Sequence, residues 1–117
     1  AQLKMLSELI SNSLQQRATE WLCEPVAMTS CSIEGCKKAD PSVWVKIDFD
    51  DDTYSRCDRK GCDSYDMTQK ASGMYTIIEL PGKGTFLKVL NNGDSYMEVA
   101  AVSVSAVLNF GSCKPIG

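Results

Sequence analysis

The residues of this 117-residue chain that could do chemistry are its six cysteines, a run of aspartates and a small basic cluster. Cys57 and Cys62 bracket Asp58-Arg59-Lys60-Gly61, and Cys31 and Cys36 bracket Ser32-Ile33-Glu34-Gly35; Cys23 and Cys113 complete the set. Three chemistries compete for such spacing. Two C-x4-C pairs could offer four sulfurs to zinc, but structural zinc sites favour C-x2-C and commonly include histidine, which this chain lacks. A dithiol redox centre calls for C-x-x-C at the start of a helix in a βαβ unit, and neither spacing nor context fits. The third chemistry is a disulfide. "DRKG" can form a four-residue hairpin loop with Gly at a positive-φ position, and the flanking cysteines then face each other across an antiparallel pair. The pattern therefore predicts a Cys57–Cys62 bridge. A second bridge is expected to tie Cys113 to the N-terminal region, with Cys23, Cys31 and Cys36 all open as partners. By closing a long loop it would constrain the unfolded chain by roughly 4 to 5 kcal/mol.

The aspartates Asp48, Asp50, Asp51 and Asp52, with Asp58, Asp63 and Asp66 nearby, could in principle ligate calcium through oxygen. "DFDDDT" lacks the sixth-position Gly and the distal Glu of an EF-type loop, so a solvated turn is the expectation. Nothing marks a pair of carboxylates in a cleft for glycoside hydrolysis. Arg56, Arg59 and Lys60 read as a basic tip on an acidic body. Held by a disulfide, such a tip is a preorganised recognition element. "PGKGT" lacks the Gly-Lys-Ser/Thr ending of a phosphate loop.

The absent histidine also removes the commonest general base, so Ser-His-Asp and Cys-His catalysis are impossible. With no nucleophile motif either, the chain reads as a non-enzyme with no cofactor and no metal. A net charge of -3 is a poor match for phosphate backbones, which argues against nucleic acid as a partner. No apolar run approaches the about 18 residues of a membrane span. An even cysteine count in a small chain reads as disulfides of an exported protein, periplasmic or secreted, and the opening "AQLKML" has the look of a mature end left by cleavage after a small residue.

These residues need elements to position them. Residues 1–22 place Leu3, Leu6, Leu9, Ile10, Leu14 and Trp21 on one side at a period near 3.6, which predicts an amphipathic helix ending before Pro25. Residues 23–42 read as a cysteine-rich connection with one short strand near Val26 to Met28. From residue 43 the period becomes two, beginning with Val43, Val45, Ile47 and Phe49 on one face. Turn signals at "DDD", "QKASG", "PGKG" and "NNGD" divide residues 43–113 into six or seven strands. "SYMEVAAVSVSAVLNF" reads as one bent strand or two, with a corner near Ala100-Ala101 and with Val102, Val104, Ala106, Leu108 and Phe110 on one face. The expected fold is α+β: one domain over 1–117, its helix packed on an antiparallel meander that closes toward a barrel and is stapled by disulfides.

The whole pattern, a cysteine-rich N-terminal region, a meander and a terminal "FGSC", resembles small exported bacterial disulfide-containing β-proteins. "ASGMYTIIEL" is similar to the Ser-Gly-x-x-Tyr stretch of periplasmic lipocalin-like lysozyme inhibitors, although here Tyr75 follows Gly73 by only two positions. The reading expected first is a non-enzymatic exported binding protein whose partner is a protein or a small apolar ligand. The resemblance adds an alternative, a periplasmic inhibitor of a hydrolase such as lysozyme. A structural component of the cell envelope is the third reading.

Overall fold

A computed structural model describes residues 20–116. Ten strands form one sheet: β1 (Glu20–Ser32), β2 (Gly35–Ala39), β3 (Trp44–Asp48), β4 (Thr53–Asp58), β5 (Gly61–Asp66), β6 (Thr68–Ser72), β7 (Tyr75–Leu80), β8 (Thr85–Leu90), β9 (Tyr96–Val102) and β10 (Ser105–Pro115). Nine of them run in the order β5-β4-β3-β1-β10-β9-β8-β7-β6, every neighbour antiparallel, and β2 pairs with β1 off this path.

The sheet curls into a nearly closed barrel whose two edge strands, β5 and β6, are joined only by Met67. The seam is drawn together from the β3–β4 turn. The Met67 N–H donates to the Asp52 carbonyl at 3.0 Å, and Gln69 Nε2 donates to the Phe49 carbonyl at 2.9 Å and to Asp52 Oδ1 at 2.8 Å. These bonds hold the Met67 end of the seam to the turn, while β5 and β6 do not pair with each other among the described residues.

Period-two alternation fills the interior. Trp21 and Cys23, Val45 and Ile47, Ile78 and Leu80, Leu87 and Val89, and Tyr96 are buried from successive strands, and Tyr54 and Met67 join them. The β8–β9 loop closes one end of the barrel. There Gly93, at φ 80, lies so close to the Trp21 ring and the Cys113 carbonyl that a Cβ would overlap them, and its own carbonyl accepts the Cys113 N–H at 2.7 Å.

Four expectations are corrected. The protein is all-β over the described residues, not α+β: no helix occurs among them, and so none that is long and apolar enough to cross a membrane. Most of the expected helix, residues 1–19, lies outside the described residues. Residues 20–22 open β1 instead, because Trp21 pairs with Ile47 on one side and Pro115 on the other. The 23–42 connection is mostly sheet, with β1 running on to Ser32 and β2 returning from Gly35. Pro25 is tolerated because β1 bulges between Pro25 and Ala27, and Gly111 opposite has no Cβ to strike Pro25 Cα, which it would approach within 2.7 Å. The strand count is ten: the meander has eight strands, β3 to β10, rather than six or seven, and β1 and β2 add two. Finally, Val102 to Phe110 do not form one face. A turn at Ser103-Val104, with Ser103 at φ 56, splits the segment and leaves Val104 at the tip 89% exposed.

β1 also runs beyond the barrel. Its first residues pair with β3 (Glu20↔Asp48 to Cys23↔Val45), its last with β2 (Met28↔Ala39 to Ser32↔Gly35), and β10 accompanies it throughout. There β2, β1, β10 and β9 lie side by side, and the described residues are elongated, with extents of 57 × 26 × 25 Å.

Candidate functional site

All three disulfides join residues that are directly opposite in register: Cys23–Cys113 across β1 and β10, Cys31–Cys36 across β1 and β2, and Cys57–Cys62 across β4 and β5. The first lies inside the barrel; the other two pin hairpins. No free cysteine remains among the described residues, so the sulfurs offer neither a thiolate nucleophile nor a metal ligand.

The aspartates organise a turn. Asp48 Oδ1 accepts the N–H groups of Asp50 and Asp51, both at 3.0 Å, and Asp52 sits at φ 50 with its carboxylate bonded to Gln69. No group of three or more His, Cys, Asp or Glu positioned to hold a metal ion occurs among the described residues.

The basic cluster divides. Arg59 and Lys60 are exposed on the β4–β5 turn, where Asp58 Oδ1 accepts the Lys60 N–H at 2.8 Å. Arg56 does not belong to the tip. Alternation along β4 turns it to the inner face with Tyr54, and its Nη2 donates to Glu98 Oε1 at 3.0 Å. Its Nε and Nη2 also donate to the Tyr54 hydroxyl at 3.2 and 3.1 Å, and that hydroxyl donates to Glu98 Oε2 at 2.5 Å. Glu98 is 1% exposed, with both carboxylate oxygens bonded. The triad crosses the barrel from β4 to β9. Its phenol is pushed far above the ordinary tyrosine range, first by burial and then by the charge and hydrogen bond of Glu98. Neighbouring Tyr96 is raised as well, by burial and then by the charges of Glu98 and Glu24. Asn109, opposite Glu98 on β10, is buried with no hydrogen-bond partner for Oδ1 among the described residues. The triad is saturated within itself, which is what an interior brace requires.

The chain also builds a concave surface. Where β1 passes from β3 to β2, residues 24–27 face no strand on that side, and residues 40–43 diverge from the sheet. The fork leaves a groove of about 710 Å³. Asp40, Pro41, Ser42, Val43 and half-buried Trp44 form its floor. Glu24 and Pro25 of β1 form one wall, and Asp58, Arg59 and Lys60 of the β4–β5 turn form the other. Register explains this arrangement: continuing the ladders beyond Cys23↔Val45 and Trp44↔Cys57 sets residues 42–44 between β1 and the turn. The wall charges differ in sign, since Glu24 carries a carboxylate, 3.6 Å from Lys114, while Arg59 and Lys60 are cationic.

Sequence reasoning placed Arg59 and Lys60 on a hairpin turn but did not find the groove, because the groove depends on how β1 divides its pairing between two strands. It also missed Glu98. The available signal was an acidic residue between Tyr96 and Ala100, on what period two makes the apolar face of β9.

No family model, curated protein or solved structure matches this chain.

Proposed function

We propose that the protein is a non-catalytic binding protein of an oxidising, exported compartment, and that the groove at the strand fork is its binding surface. The observation that carries this reading is that each wall of the groove adjoins a disulfide: Glu24 follows Cys23, which is bridged to Cys113, and Asp58 to Lys60 form the turn closed by Cys57–Cys62. A concave surface between covalently pinned loops loses little conformational freedom when it binds, which favours affinity from few contacts. Three disulfides are consistent with an exported environment. The interior is a poor alternative site, because core side chains and a self-satisfied triad fill it.

The test is an amide NMR screen of the labelled protein against peptides, oligosaccharides, nucleotides and apolar small molecules. Ligands of at least one class are expected to shift the amides of Glu24, Ser42 to Trp44, Arg59 and Lys60 together. Shifts confined to another surface, or none with any class, would overturn the reading.

A further inference from the structure

The groove has a measurable span and a charge on each side, and together these select a ligand. Glu24 lies on β1 and the Arg59–Lys60 turn follows β4, and β3 is the one strand between them. Two ladder steps put the backbones of the two walls about 10 Å apart. An extended peptide advances about 3.3 to 3.6 Å per residue, so three residues reach about 10 Å. A single amino acid falls well short. Between the walls, residues 40–43 belong to no strand, so their backbone offers donors and acceptors free of any ladder, and Pro41 and Trp44 add apolar floor. Asp58 does not cancel the basic wall outright, since it sets one negative charge against the two cations Arg59 and Lys60.

We propose, building on the groove as the binding surface, that its ligand is a short peptide of about three residues with both termini free. It lies across the strands with its ammonium toward Glu24 and Asp40 and its carboxylate toward Arg59 and Lys60. Binding draws Glu24 away from Lys114, a solvent-exposed pair at 3.6 Å that gives little resistance.

Tri-alanine, N-acetyl-tri-alanine, tri-alanine amide and free alanine are titrated into the labelled protein at low salt. Tri-alanine is expected to shift amides on both walls. Capping either terminus is expected to weaken binding by roughly threefold, the size of one exposed charge contact. Free alanine should bind more weakly than any of the tripeptides. Glu24→Gln should reduce affinity for tri-alanine without affecting the acetylated form, and Arg59→Glu/Lys60→Glu should do the converse, sparing the amide. Equal binding of capped and uncapped peptides would overturn the proposal, as would tri-alanine that moves no groove amide. In the second case the groove still stands as a binding surface if an oligosaccharide or apolar ligand shifts the same amides, so the two readings fail separately.

Discussion

Arg56 and Glu98 are 42 positions apart in the chain, yet Arg56 Nη2 lies 3.0 Å from Glu98 Oε1 inside the barrel. The pair joins the half of the sheet built from β3, β4 and β5 to the half that begins at β9, and the Tyr54 hydroxyl bonds both members. Glu98 is almost wholly buried, while the Arg56 side chain keeps 35% of its surface exposed. The two ends of the pair therefore have different dependence on each other.

Removing the cation strands the buried carboxylate. Arg56→Ala is expected to cost about 3 kcal/mol, the low end for breaking a buried pair because Arg56 is partly solvated. Glu98→Ala should cost less in electrostatics, since the guanidinium can turn to water, but adds a cavity. Arg56→Met/Glu98→Leu should lose less than the sum of the two single changes, with a coupling on the order of 1 to 3 kcal/mol. Urea unfolding with the disulfides intact measures all three. A single Arg56→Ala loss under about 0.5 kcal/mol would place the pair among ordinary surface ion pairs.

The phenols give the pH dependence. Tyr54 and Tyr96 are both held above the ordinary value of 10.0, each chiefly by burial and then by the negative charge of Glu98. The folded protein keeps two protons that the unfolded chain releases above about pH 10. Their contribution to stability is thus complete below that pH and is lost as pH climbs toward the folded values. The urea midpoint should decline above pH 10, and less steeply in Tyr54→Phe/Tyr96→Phe. In the folded protein Tyr54→Phe should leave the amplitude of the phenolate absorbance step unchanged. A fall in that amplitude would mean that Tyr54 ionises without unfolding.

The distribution of disulfides makes a third prediction. Cys23–Cys113 spans 90 positions and the two hairpin bridges span 5 each. In the chain-entropy account, Cys23→Ser/Cys113→Ser should cost about 4 to 5 kcal/mol and Cys31→Ser/Cys36→Ser about 2 kcal/mol. Access orders reduction. Cys36 and Cys62 are exposed on β2 and β5, strands with no buried residue, whereas Cys23 and Cys113 are both buried. Limited dithiol treatment followed by alkylation and mass mapping should label the two hairpin pairs before Cys23 and Cys113. Early labelling of Cys23 or Cys113 would contradict the closed barrel end.

The local features of this fold were legible because they are local. Asn92-Gly93, Pro81-Gly82 and Asp58-Arg59-Lys60-Gly61 make turns by their own backbone preferences, and Val45 and Ile47 alternate inward as period two requires. What stayed hidden depends on partners distant in sequence. Trp21 fits a helical stripe as well as a strand, and only Ile47 and Pro115 beside it decide for the strand. Residues 23–42 looked irregular because Pro25 disfavours a regular strand, and the compensating Gly111 lies far along the chain. Arg56 carries a charge that suggests the surface, although its parity with Tyr54 turns it inward; its partner Glu98 is found only when β4 and β9 face each other.

The three basic residues of "RCDRKGC" provide the last prediction, since they share a hairpin but not an environment. Arg59 and Lys60 are exposed and make no side-chain ion pair or hydrogen bond among the described residues. Arg59→Ala/Lys60→Ala should therefore change stability by less than about 0.5 kcal/mol, as surface substitutions usually do. Arg56→Ala, two positions before Asp58, should be the one costly change of the three. If the hairpin's stability instead rested on its basic residues as a group, Arg59→Ala/Lys60→Ala would lower the urea midpoint as much as Arg56→Ala. A midpoint that falls only for Arg56→Ala assigns that residue to the barrel's brace and leaves Arg59 and Lys60 free for the groove.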